Sequence, residues 1–296
     1  MRKVTIVFLS VAFMAMIAQG QELISKKGFT ILPEAGDVVL GFDAVPFFDY
    51  ALNVVNIMNN TGQTSQHPGY VSGFSSMIVG KYFLEDDMAA RVKFGINSYK
   101  MTESNFFDTP ADVILNPADP DLWGESVDIF KSSWSEIIIG GGVELRRGHN
   151  RVQGFYGGEL LLGFESSSST ADWGVEMNEI AILDGYWNYD GSPVSDPRIL
   201  NYKSGTDLTI GLRGFVGVEY FFAPKISVAG EFGWGFGYTS SARGEVEIES
   251  WDAVDNVRET TVTEGPLKES SWGFGVDDGS SRTLAPSAAL TLLFHF

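Results

Sequence analysis

The links between the alternating segments of this 296-residue chain are by turns long and short, and this constrains the fold more than any other feature. Eight segments alternate apolar with small or polar residues: 37–48, 70–83, 89–100, 135–146, 151–165, 207–221, 226–239 and 283–296. Period-two alternation sends odd and even residues to opposite faces of a strand. Links 84–88, 147–150 and 222–225 hold four or five residues, whereas 49–69, 101–134, 166–206 and 240–282 hold 21, 34, 41 and 43. That order suits antiparallel strands crossing a layer and returning. The segments hold 12 to 15 residues. Strands of soluble proteins average about 5–6, and a tilted strand crosses the hydrocarbon of a bilayer in about 9–11. The sequence therefore predicts an all-β chain: an eight-stranded antiparallel up-and-down transmembrane β-barrel with short periplasmic turns and four long extracellular loops.

Segment 207–221 shows the two faces. Leu208, Ile210, Leu212, Val216, Val218 and Tyr220 share one; Thr209, Gly211, Arg213, Phe215, Gly217, Glu219 and Phe221 share the other. In 226–239, Phe232, Trp234, Phe236 and Tyr238 oppose Glu231, Gly233, Gly235 and Gly237. An apolar face without charge suits lipid, and small residues suit a narrow interior. The 34 glycines are largely explained this way. Taking the less apolar face as inward gives acidic Asp43, Glu136, Glu144, Glu159, Glu165, Glu219 and Glu231 and basic Lys81, Arg91, Lys93, Arg146 and Arg213. Eight strands enclose an interior that side chains can fill, and buried charges there must pair. The expected arrangement is a packed ion-pair network; a conducting path or proton relay is the alternative. Aromatic girdles are expected at the short-turn end (Tyr82, Phe83, Tyr220, Phe221, Phe222, Phe294, Phe296) and at the other end (Tyr70, Trp134, Phe164, Tyr238).

Arg2 and Lys3 precede an apolar run over 4–18 that closes on Ala18-Gln19-Gly20. This is the layout of a secretory signal peptide over 1–20, too short to span as a helix. Residues 21–36 then form a periplasmic N-terminal segment and 37–296 the barrel domain. No later run approaches 18 uninterrupted apolar residues, so insertion must use strands.

The last segment, Leu290-Thr291-Leu292-Leu293-Phe294-His295-Phe296, alternates to a terminal aromatic. It resembles the C-terminal signal of Gram-negative outer-membrane barrels, with Phe294 and Phe296 in the positions read by the barrel-assembly machinery. With the leader and the loop alternation, the chain resembles small outer-membrane barrels of the OmpA/OmpX/OmpW kind. Segments 28–43 and 219–237 also resemble the "outer membrane protein β-barrel domain" family. The resemblance implies an integral, multi-pass protein of the outer membrane of a Gram-negative bacterium, among its lipids and lipopolysaccharide. It supplies no catalytic residues.

The formal charge is −18, with 20 Lys and Arg against 38 Asp and Glu, which argues against nucleic acid. Loops 101–134, 166–206 and 240–282 together carry 23 acids and 7 bases, a net −16. These loops are expected to form a solvated acidic surface, to meet an envelope protein partner, or to bridge to lipopolysaccharide through divalent cations. Residues 244–251 are expected to continue a strand beyond the membrane as a hairpin. Ile180, Leu183, Tyr186, Trp187 and Tyr189 are expected to pack over the barrel mouth. The chain has no cysteine, and its histidines His67, His149 and His295 lie far apart in sequence. No metal, cofactor or nucleophile motif accompanies them. The leading expectation is a non-enzymatic structural or interaction module. A narrow channel for ions or small hydrophobic molecules is the second reading, and a lipid-modifying enzyme the third.

Overall fold

A computed structural model describes residues 23–44, 77–148, 150–265, 269–277 and 289–296. The fold is all-β. Its strands are β1 (Val38–Asp43), β2 (Met77–Glu85), β3 (Met88–Asp108), β4 (Glu125–Arg147), β5 (Val152–Asp172), β6 (Arg198–Ala223), β7 (Ile226–Ser241), β8 (Glu245–Asp252), β9 (Val257–Glu264), β10 (Ser270–Val276) and β11 (Ala289–His295). All eleven belong to one antiparallel sheet. Two short helices, α1 (Pro110–Leu115) and α2 (Glu179–Leu183), lie in the connections.

The pairing returns on itself. β1 through β7 pair in chain order, β7 pairs β11, and β11 pairs β1 with Val39 opposite His295. The eighth position is shared. The first half of β7 pairs β11, with Ala289 opposite Glu231, and the second half pairs β10, with Phe274 opposite Phe236. The expected strand over 283–296 is thus β11 alone among the described residues, and 270–276, expected in a loop, supplies the rest of that edge. Between them β11 and β10 pair residues 226–231 and 234–240 of β7, so little of its edge is left open.

Alternation places the side chains as the sequence implies. Ile139, Leu160, Leu212, Phe232 and Phe236 face outward and are exposed. Lys81, Arg91, Glu144, Glu159, Arg213 and Glu219 face inward and are buried. Three girdle assignments need correction. Phe83 and Phe221 are fully buried, because they share the inward register of Lys81 and Glu219, whereas Tyr82, Tyr220 and Phe222 are exposed on the outside. Trp134 likewise shares the face of Glu136 rather than the outer surface. Tyr70 lies outside the described residues.

The long links also differ from expectation. β3, β4, β5 and β6 run for 21, 23, 21 and 26 residues, so much of 101–134 and 166–206 is strand. At about 3.4 Å per residue, β4 is roughly 75 Å long, more than twice the hydrocarbon thickness. Beyond the ring these strands continue as an open sheet, β3-β4-β5-β6-β8-β9. Hydroxyl pairs hold it where apolar alternation has stopped: Ser133–Ser168 at 2.8 Å and Ser135–Ser166 at 3.0 Å. The β8–β9 hairpin occupies the expected place.

At the short-turn end, residues 31–37 lie against the tips of the ring. The Lys225 backbone N–H donates to Ile31 O at 3.2 Å, Ala35 N–H donates to Asp86 Oδ1 at 2.9 Å, and Ile31 is buried. Lys225 also pairs with Glu34 at 3.1 Å and with Asp37. Its φ of 58° lets the two-residue turn between β6 and β7 close.

Candidate functional site

Inward residues of six strands, β2 to β7, meet in one network. At its lower end Arg146 (β4) reaches Glu219 (β6) at 2.5 Å and Glu144 at 3.5 Å. Above it, Lys81 (β2) lies 2.8 Å from Glu144 and 3.8 Å from Glu219. Arg91 (β3) joins three carboxylates: Glu144 at 3.3 Å, Glu159 at 3.4 Å and Glu231 at 2.8 Å. Lys93 (β3) bridges Glu159 and Glu231 at 2.9 and 3.0 Å. Arg213 (β6) reaches the same two at 2.7 and 2.8 Å and also takes Asp277, which follows β10.

Five cations thus face five carboxylates, and all ten side chains are buried. The balance is the physical requirement of a buried interior, where a charge without a partner costs several kcal/mol. Aromatic rings fill the rest. Phe155 on β5 stands opposite Gly217 on β6, and Phe215 on β6 stands opposite Gly157 on β5. A Cβ on Gly217 would fall 2.1 Å from the Phe155 ring, and one on Gly157 would fall 2.6 Å from the Phe215 ring. Each glycine therefore leaves room for its neighbour's ring, and Gly157 also for the Val143 carbonyl, 2.1 Å from the same built Cβ. The Arg91 guanidinium lies 4.0 Å above the Phe215 ring and Lys81 Nζ 5.0 Å from that of Phe155, so rings and cations interlock.

Nine of the twelve charges assigned inward from sequence belong to this network. Three do not. Glu136 is buried but sits higher, where Asn97 Nδ2 donates to it at 3.2 Å. Glu165, directly opposite Glu136, is exposed and accepts from Trp134 Nε1 at 2.7 Å. Asp43 is half-buried at the far end of β1. All three lie toward the end where the long strands rise.

Asp277 and His295 complete the network and are absent from the sequence assignment. Asp277 lies in a stretch taken as loop. Its signal is nevertheless present: Trp272, Phe274 and Val276 alternate with Gly273, Gly275 and Asp277. His295 Nε2 lies 3.1 Å from Glu219 Oε1 and 3.2 Å from Ser227 Oγ. Serine, histidine and glutamate therefore meet, but not as a catalytic triad. Both oxygens address the same ring nitrogen, Ser227 Oγ donates to Glu219, and the cluster is buried. His67 and His149 lie outside the described residues.

A second buried set organises the outer sheet. Arg198 Nε donates to Glu249 Oε1 at 2.5 Å, and its Nη2 to Val175 O at 2.6 Å. Asp128 accepts from the backbone N–H groups of Gly174 at 2.7 Å and Tyr189 at 3.0 Å. Val175, Ala181 and Val194 pack together with Phe107 and Tyr186. The segment between β5 and β6 therefore lies on the face of β3 and β4 that lines the ring lower down. The expected packing of Ile180 and Leu183 over the mouth does not occur: both are exposed, and α2 instead buries Ala181. Among the described residues, no group of three His, Asp or Glu is arranged to hold a metal ion.

No protein-family model matches the chain, and no curated protein is similar to it. Among solved structures, the outer membrane protein OprG from Pseudomonas aeruginosa aligns over 90% of this chain and 99% of its own, at 11% identity and a TM-score of 0.25. A likeness at that score assigns neither fold nor function; the fold rests on the strand pairing.

Proposed function

We propose that this chain is an integral outer-membrane β-barrel whose interior is sealed and whose outer sheet is its working surface. The observation that carries this reading is the neutral, buried network of five cations and five carboxylates spanning the ring. A ring filled in this way is a pillar rather than a pore. The outward belt supports the membrane setting, because soluble proteins rarely expose apolar patches beyond a few hundred Å². Phe296, 75% exposed beside the β1–β11 seam, is the terminal aromatic offered to the assembly machinery.

The outer sheet lifts acidic residues well clear of the ring. Glu245, Glu247, Glu259 and Glu264 lie on the β8–β9 hairpin. A basic patch on an envelope protein, or lipopolysaccharide bridged by divalent cations, fits this surface.

Two measurements test the reading. Folded protein in vesicles should migrate differently on a gel before and after boiling, and planar bilayers should stay silent. Reproducible unitary conductance would overturn the sealed interior in favour of a channel. Cross-linking in cells should capture a partner through the acidic loops and lose it when residues 245–264 are replaced by a short turn. A hydrolytic activity on membrane lipids would revive the enzymatic reading.

A further inference from the structure

The outward face of β4 to β7 carries a groove of about 610 Å³. Two cross-strand rows build it. In one, Gly158 and Gly214 stand side by side between Val143 and Trp234. In the row above, Gly141 is followed by Leu160, Leu212 and Phe236, and β10 adds Phe274. The glycines form the floor and the larger side chains the walls. The Trp234 indole lies across Gly214, whose built Cβ would meet it at 3.1–3.2 Å. Glu159 and Arg213 also border the groove, but their charged ends turn inward and are paired there.

The lining presents no outward charge, so it selects an apolar occupant. Its twelve residues are too few for a protein partner, since a stable interface uses about 20–30 a side. A two-fold pair of this chain would set hollow against hollow and leave a void. A thin, flexible hydrocarbon fills such a space without either difficulty. We propose that the groove seats one acyl chain of a membrane lipid at a fixed place on the barrel wall. This rests on the membrane reading above.

The test uses the full-length protein labelled with 5-fluorotryptophan, in phosphatidylethanolamine/phosphatidylglycerol vesicles containing a small fraction of lipid spin-labelled on its acyl chain. Trp234 reports the groove, and its fluorine resonance is assigned with Trp234→Phe. Trp272 on β10, more exposed on the same outer face, is the internal control. Trp234 should broaden several-fold more than Trp272. A Cβ at Gly141 meets nothing within 4 Å, and one at Gly158 meets only Arg213 O at 3.8 Å. Gly141→Leu with Gly158→Leu therefore starts from an unobstructed Cβ at each site and should fill the groove and remove the preference. Equal broadening in the unmodified protein, or shielding of Trp234 by another protein copy, overturns the proposal while leaving the barrel intact. Failure to enter vesicles at all overturns the membrane reading as well. If the double variant does not fold, the comparison of Trp234 with Trp272 decides alone.

Discussion

Arg213 grips Asp277 through two nitrogens, with Nε 3.1 Å from Oδ1. The pair ties the end of β10 to the interior and supplies the fifth negative charge. Asp277→Ala should lower stability by roughly 3–5 kcal/mol, because it leaves a buried charge imbalance. Urea unfolding in vesicles measures it. Arg213→Met combined with Asp277→Leu should recover much of the loss. An unchanged midpoint in Asp277→Ala would show that the pair contributes nothing to the fold.

Gly217 is where Phe155 rests. Gly217→Val should cost about 1–3 kcal/mol through overpacking. Adding Phe155→Leu should restore part of it, since the atom within 2.1 Å of the built Cβ belongs to that ring. If the second change deepens the loss, the backbone carbonyl of Gly230, 2.6 Å from the same Cβ, is the true obstacle.

Lys93, Glu159, Glu231 and Arg213 form one closed cluster of the interior network. Replacing all four with serine removes two positive and two negative charges and keeps the interior neutral. Bilayer recordings should then show unitary events where the unmodified protein is silent. Silence in the variant would place the barrier lower, among Phe83, Phe155 and Phe215.

Arg198 and Glu249 are buried together well above the ring network. Arg198→Ala should release the 173–197 segment and the β8–β9 hairpin while the ring stays closed. Limited proteolysis of intact vesicles reads the release as faster cleavage there. An unaltered boiled-versus-unboiled gel shift shows the ring intact. Loss of that gel shift would mean that the two layers fold as one unit.

Asp190 accepts from the Ser192 hydroxyl at 2.6 Å and from the Ser192 N–H at 2.9 Å. These bonds hold its carboxyl below the usual aspartate range, the hydroxyl acting most strongly. A depressed folded value stabilises the turn above the unfolded pKa and loses that contribution as pH falls through the folded one. A carbon-13 titration should therefore find Asp190 ionised to lower pH than an ordinary aspartate. Ser192→Ala should shift its midpoint upward.

Much of the ring is legible in the chain because its two solvents differ. An apolar exposed face and a packed, charged interior impose strict alternation, which marks Leu212 as outward and Arg213 as inward without further information. The same rule fails above the ring, where both faces of β5 meet water and Ser166 to Ser169 carry no alternation. Those residues read as loop, although hydroxyl pairs and backbone ladders keep them extended. Asp277 escaped for a different reason: only five alternating residues precede it, and its partner lies 64 positions away. Burial of Phe83 and Phe221 follows from their register, which the girdle argument set aside in favour of their nearness to the turns.

The pairing of β1 with β11 has a consequence in time. Val39 and His295 are neighbours in space but stand near opposite ends of the chain. Until the last strand arrives, β1 and β7 each carry a raw backbone edge, and in the membrane setting proposed above hydrocarbon offers no hydrogen bond to either. The wall therefore cannot be laid strand by strand into a bilayer. Entry and closure have to coincide, or another protein must lend a temporary edge while the chain waits for its final strand.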